Sequence, residues 1–147
     1  RDKTYLDGAV LRRADGTPVI GMTLRHDRAD NFWFVLFHEL GHLFLGHLTD
    51  DNQFFADDMD LMKESNPDHR EDEADGFAVR ALLPAGFDLD RRPYVSTDDV
   101  VQYARRINRH PGIVAGRIQF IRGDYRKFSR LVGRNTVRRC FVEGTTE

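Results

Sequence analysis

Residues 38 to 42 read His-Glu-Leu-Gly-His, two histidines four apart with a glutamate after the first. At about 100° per residue on a helix, His38 and His42 lie roughly 40° apart and one turn from each other, so both imidazoles reach a single ion. That is half of a tetrahedral zinc site. Glu39 sits about 60° round from His42 on the same wall, turned to address a metal-activated water instead of the metal, the place of a general base. Gly41 costs about 1 kcal/mol relative to Ala inside a helix. It lies beside His38 on the proposed metal face, where a missing side chain leaves room for an ion or a second helix.

The helix that must carry these groups is predicted over Phe32 to Leu48, with Asp30 or Asn31 as its N-cap. Trp33, Phe34, Val35, Leu36, Phe37, Leu40, Leu43, Phe44, Leu45 and Leu48 leave it no wide polar stripe, so it is central and buried. Polar groups there must be paired or must bind something. His47 projects nearly opposite His38 on this helix and reads as a helix-end histidine, not a ligand.

A catalytic zinc also needs a third protein ligand and an open position. Glu71 to Leu83 has a helical pattern stopped by Pro84 and Gly86. Ala74, Phe77, Ala78, Ala81 and Leu82 cluster within about 120° of Glu71, with Asp75 alongside, whereas Glu73, Gly76 and Arg80 point the other way. Glu71 is therefore the expected third ligand and Glu73 the fallback. Asp75, one turn on, is placed to accept the free ring N–H of a ligand histidine and fix its tautomer. The plainer alternative is that both acids only favour the helix N-terminus.

With 147 residues, 40% of them hydrophobic, the chain is expected to form one domain around one core. Net charge is −2, but acids crowd Asp50 to Asp75 while Arg and Lys dominate Arg105 to Arg139. Cys140 is the only cysteine, which excludes an internal disulfide and a thiolate zinc cluster and suits a reducing cytoplasm. No stretch reaches the roughly 18 apolar residues of a membrane span. The chain begins at Arg1 without an initiating Met, so it is expected to be a fragment.

Before the central helix, Leu6 to Arg12 and Pro18 to Leu24 flank Ala14-Asp15-Gly16-Thr17 and predict a hairpin, either a plain support or an edge for an extended peptide. His26 falls in a charged surface turn. Thr49 to His69 forms an acidic connection, read as a solvated loop pinned by Phe54 or Phe55, or as a lid; its acids lack calcium-loop spacing. Later, Ser96 or Thr97 caps a helix from about Asp98 to Asn108, with Val100, Val101, Ala104 and Ile107 inward. A second helix, with Pro111 in its first turn, runs to about Ile121. This pair either closes the domain or, through Arg105, Arg106, Arg109 and Arg117, binds DNA. Tyr94, His110 and Arg117 are the candidates for a group that steadies a tetrahedral intermediate. The tail from Asn135 to Val142 is predicted as a strand.

The His-Glu-Leu-Gly-His run and the later Glu-Asp-Glu-Ala-Asp-Gly-Phe-Ala…Leu-Leu-Pro resemble the ImmA/IrrE zinc peptidases. The stretch Pro18-Val19-Ile20-Gly21 through Asn31-Phe32-Trp33, the Phe55-Ala56-Asp57-Asp58 loop and His110 through Arg117 resemble the version fused behind a helix-turn-helix domain in HigA-type antitoxins and related regulators. The resemblance implies an α+β, zincin-like (gluzincin-type) domain with a small N-terminal β-sheet, two active-site helices and a C-terminal helical region. It implies Zn2+ on His38, His42 and Glu71, with Glu39 as base, and a protein substrate, either a repressor or a cognate toxin partner. DNA would then be met only through the absent upstream domain. The alternatives are a zinc-binding interaction or sensor module that does not cleave, and DNA binding through residues 98–121.

Overall fold

In a computed structural model of the chain, residues 7–48, 54–56, 69–84 and 86–142 are described. Their order is β1 (Gly8–Arg12), β2 (Pro18–Met22), α1 (Ala29–Phe44), β3 (Phe54–Ala56), α2 (His69–Leu82), a 3-10 turn (Leu89–Arg91), α3 (Thr97–Arg106), α4 (Pro111–Arg122) and α5 (Val137–Val142). The architecture is α+β: a small N-terminal sheet, two long helices and a helical C-terminal region. No helix among the described residues is long and apolar enough to cross a membrane. The chain divides into two units, residues 1–25 with 35–79 and residues 26–34 with 80–147.

In the first unit the strands lie in the order β2-β1-β3, both pairs antiparallel. The predicted Asp-Gly turn joins β1 to β2: Gly16 N–H donates to Arg13 O, and Gly16 adopts φ 85°, which a glycine tolerates without strain. The strands start and stop inside the predicted bounds, at Gly8 and Met22; Leu6 lies outside the described residues. Val10, fully buried, pairs with Ile20 on one side and Phe55 on the other. β3 arises within the acidic connection, so part of what reads as loop is a sheet strand. The rest of that connection, His69 apart, lies outside the described residues, and with it the question of a lid.

Helix α1 also differs from expectation at both ends. It begins at Ala29, so Asp30 and Asn31 stand in its first turn instead of capping it, and it ends at Phe44 instead of Leu48. Gly41 lies close against α2: a Cβ built there would lie 3.0 Å from Ala74 Cα and 3.2 Å from Ala74 O. The missing side chain makes room for a second helix, one of the two uses foreseen for it. Ala74 and Ala78, both fully buried, keep the facing side of α2 small.

In the second unit, Ser96 caps α3 through a capping box with Asp99, and Val100, Tyr103 and Ala104 are its buried side chains. His110 caps α4, and Pro111 opens that helix. Asp30 accepts two bonds from Arg28, at 2.9 and 2.5 Å, and Arg28 also donates to buried Gln119 of α4 at 3.1 Å. The tail is a helix, not the predicted strand. Asp27 Oδ1 accepts from Arg138 N–H at 2.9 Å, a cap supplied from 111 positions earlier, which no local pattern reveals.

Gly41→Ala tests the helix contact. The substitution gains about 1 kcal/mol of helix propensity, but the added methyl meets α2 backbone, and overpacking of that kind costs about 1–3 kcal/mol. Net destabilisation is expected, read as a lower urea midpoint with an unchanged m-value.

Candidate metal centre

Three donor atoms from two helices meet in the first unit. His38 Nε2 stands 3.0 Å from His42 Nε2 and 3.1 Å from Glu71 Oε2, and His42 Nε2 is 3.3 Å from Glu71 Oε1. The two rings come together because they occupy adjacent turns of α1, and Glu71 joins them because α2 crosses at Gly41 and Ala74. Both histidines are buried, at 5% and 1% exposure, and the Glu71 side chain is largely covered.

These distances fit a tetrahedral ion. Ligand atoms about 2.0–2.1 Å from zinc in tetrahedral directions are roughly 3.3 Å from each other, close to all three separations seen. Two imidazole nitrogens 3.0 Å apart also cannot both present bare lone pairs to one another; a proton or a cation must lie between. Glu71 Oε1 is buried and receives no hydrogen bond of good geometry, as a carboxylate oxygen reserved for a metal would be. Two nitrogens and one carboxylate match a donor set that catalytic zinc sites use, and among the described residues they are the cluster able to hold a metal ion.

The surrounding groups orient this cluster. His38 Nδ1 lies 2.7 Å from Asp75 Oδ1, one turn beyond Glu71, so the carboxylate accepts the ring proton and leaves Nε2 facing the cluster. Burial pulls the His38 pKa down, but hydrogen bonds to Asp75 and Glu71 outweigh it and raise it to about 10. Burial alone would raise Glu71; the His38 and His42 rings beside it hold it at about 2 instead. Glu39 is 1% exposed and lies against β1: a Cβ at Gly8 would come within 2.5 Å of its Oε1 and 2.7 Å of Val35 Cγ1. Only a glycine at the start of the strand leaves the carboxylate that space.

His47 is, as expected, a helix-end histidine outside the donor cluster, but the helical wheel does not give its partners. Projected on a helix continuing to Leu48 it points away from His38, yet the helix has ended and the chain turns back. Its Nδ1 lies 2.9 Å from His42 Nδ1, and its Nε2 lies 3.1 Å from Glu73 Oε2. Glu73, the fallback ligand expected to point away, is thus engaged by His47 outside the cluster. The signal was Gly46, a left-handed helix stop four residues after His42.

Tyr94, His110 and Arg117 all belong to the second unit. Tyr94 is 75% exposed, His110 Nδ1 accepts from Gly112 N–H at 3.0 Å, and the Arg117 guanidinium lies 5.6 Å over the Phe120 ring. Two further arginines of the basic stretch also have local settings: Arg106 lies over Tyr103, and Arg109 donates to Ala81 O.

Against known families, the chain matches the model Peptidase_M78, described as the IrrE N-terminal-like domain, over residues 3–118. A search of curated proteins gives no match to it.

Protonation of the cluster sets two opposite pH trends. Without metal, the raised His38 pKa contributes stability that is full below about 6.5 and lost as pH climbs toward 10. The depressed Glu71 pKa contributes stability present above about 4.5 and lost as pH falls toward 2. A metal must displace the His38 proton, so its affinity is expected to rise about tenfold per pH unit between pH 6 and 9. Urea midpoints of chelator-treated chain should therefore fall above pH 6.5, while zinc affinity measured by indicator competition climbs.

Proposed function

The chain belongs to the IrrE N-terminal-like domain family, and on that footing we propose that it is a zinc-dependent endopeptidase domain acting on a regulatory protein. The observation that carries this reading is the convergence of His38, His42 and Glu71 within 3.0–3.3 Å, beside a buried Glu39 that is no part of the cluster. His38, His42 and Glu71 would hold the ion. Zinc bound there supplies a Lewis acid that lowers the pKa of water and polarises a carbonyl.

The chain's own groups then divide the work. Asp75 holds His38 with its Nε2 bare, and the depressed pKa keeps Glu71 a carboxylate at every working pH. Glu39 is the general base: it takes the proton of the attacking water as the C–O bond forms, then gives it to the amine as the C–N bond breaks. It is buried and stands on α1, the helix that carries both histidines. The single cysteine suits a reducing cytoplasm. By the resemblance to domains fused behind helix-turn-helix modules, the substrate is a repressor or a toxin–antitoxin partner, and DNA is met through the upstream module.

The α3–α4 pair favours a scaffold over a DNA reader. Gly112, Ile113, Val114, Ala115, Ile118 and Gln119 of α4 are buried, and its exposed side shows Phe120 and Ile121.

Two variants separate cleavage from binding. Glu71→Ala is expected to lose stoichiometric zinc in elemental analysis. Glu39→Gln is expected to keep it and to cut a candidate partner at least about 10²-fold more slowly. A biological effect that survives Glu39→Gln unchanged would make the domain a zinc-holding interaction module.

A further inference from the structure

His47 is a buried imidazole outside any helix, on the far side of a metal-site histidine. Its position follows from how α1 ends. Gly46 takes φ 73°; His47 N–H reaches back to His42 O at 2.9 Å, and Gly46 N–H to Leu43 O at 3.3 Å. This paired closure around a left-handed glycine sets the residue after the glycine against the one three places before the helix cap. Those two residues are His47 and His42. The contact is ordinarily apolar; here it is ring against ring, with centroids 5.1 Å apart and planes at 66°.

Resting on the metal reading above, we propose that His47, backed by Glu73, is a positioning residue that fixes His42 as its Nδ1–H tautomer and so leaves Nε2 bare for the metal. The argument is one of donors and acceptors. A carboxylate only accepts, so the His47 nitrogen 3.1 Å from Glu73 carries a proton. A neutral imidazole carries one ring proton, so with Nε2 donating to Glu73 the other nitrogen of His47 is an acceptor. Facing that acceptor at 2.9 Å, His42 Nδ1 must donate. On the His42 ring the nitrogen left without a proton is then Nε2, the one 3.0 Å from His38 Nε2 and 3.3 Å from Glu71. Glu73 thereby orders four ring nitrogens in sequence, two on His47 and two on His42. Each metal-site histidine has its own orienting carboxylate from α2: Asp75 acts directly on His38, and Glu73 acts on His42 through His47.

The test uses the whole chain and zinc alone. His47→Leu keeps an apolar contact at the helix stop but offers no acceptor. His47→Gln offers a carbonyl to His42 and an amide N–H to Glu73. Zinc dissociation constants from chelator competition at fixed pH are expected to rise about 10–100-fold for His47→Leu and to return within roughly threefold of wild type for His47→Gln, with unchanged far-UV circular dichroism. Long-range 1H–15N spectra of the zinc-loaded chain should show His42 protonated at Nδ1. Wild-type affinity in His47→Leu overturns the proposal, as does an equal loss in both variants or a proton on His42 Nε2. Failure of the wild-type chain to bind zinc at all would instead overturn the metal reading itself, and this role with it.

Discussion

The contact of Gly41 with the backbone of Ala74 is the constraint on which the centre depends. Its ligands come from two helices, and imidazole and carboxylate side chains have fixed reach. Helices separated by ordinary side chains keep their axes about 8–10 Å apart. A glycine meeting alanine backbone lets them come closer at one level. His38 lies three residues before Gly41 and His42 one after; Glu71 lies three before Ala74 and Asp75 one after. Every member of the candidate cluster, and the group that orients His38, is therefore within a turn of the crossing. The residue costing about 1 kcal/mol of helix propensity is the one that sets the donor separations.

A second constraint is charge. The described buried polar and charged side chains of the first unit are His38, Glu39, His42 and His47, all from one otherwise apolar stretch. Bare polar groups there would cost several kcal/mol each. The cluster resolves this by holding positive charge between two nitrogens and a carboxylate. In the metal-free chain that charge is a proton, which is why His38 is raised to about 10 and Glu71 held at about 2. The same arrangement suits a divalent ion, and proton and metal then compete for one place.

Much of this was legible because it is local. Two histidines four apart on a helix share a face whatever the tertiary structure, and the sort of small residues around Glu71 and Asp75 marks which side of α2 turns inward. The turn at Asp15-Gly16 is equally local. His47 was not legible by projection, because a helical wheel assumes that the helix continues. A single left-handed residue at Gly46 reverses the direction of everything after it, and hydrophobicity through Leu48 masks that stop. The apolar run of Leu45 and Leu48 belongs to the chain beyond the helix, not to its face. Likewise the expected N-cap at Asp30 failed because that carboxylate is claimed by Arg28, itself bonded to Gln119 ninety-one positions away.

The tail shows the limit most sharply. Asn135 to Val142 alternates well enough for a strand, and its intrinsic helix signal is poor: Val137, Cys140, Phe141 and Val142 are weak formers. A six-residue helix is far too short to form unaided. It exists because both its ends of information are elsewhere: Asp27 supplies the carboxylate that caps Arg138 N–H, Asp27 O accepts from Asn135 N–H, and Phe141 packs its ring 6.0 Å from Phe32. Asn135 enters at φ 58°, a left-handed turn that delivers the chain to those partners. The segment also lies beyond residue 118, where the family match stops. Periodicity could only report what the tail would do alone, and alone it would do nothing. The metal-site helices differ because their decisive neighbours lie within one turn in sequence, so the same chemistry that folds them can be read from them.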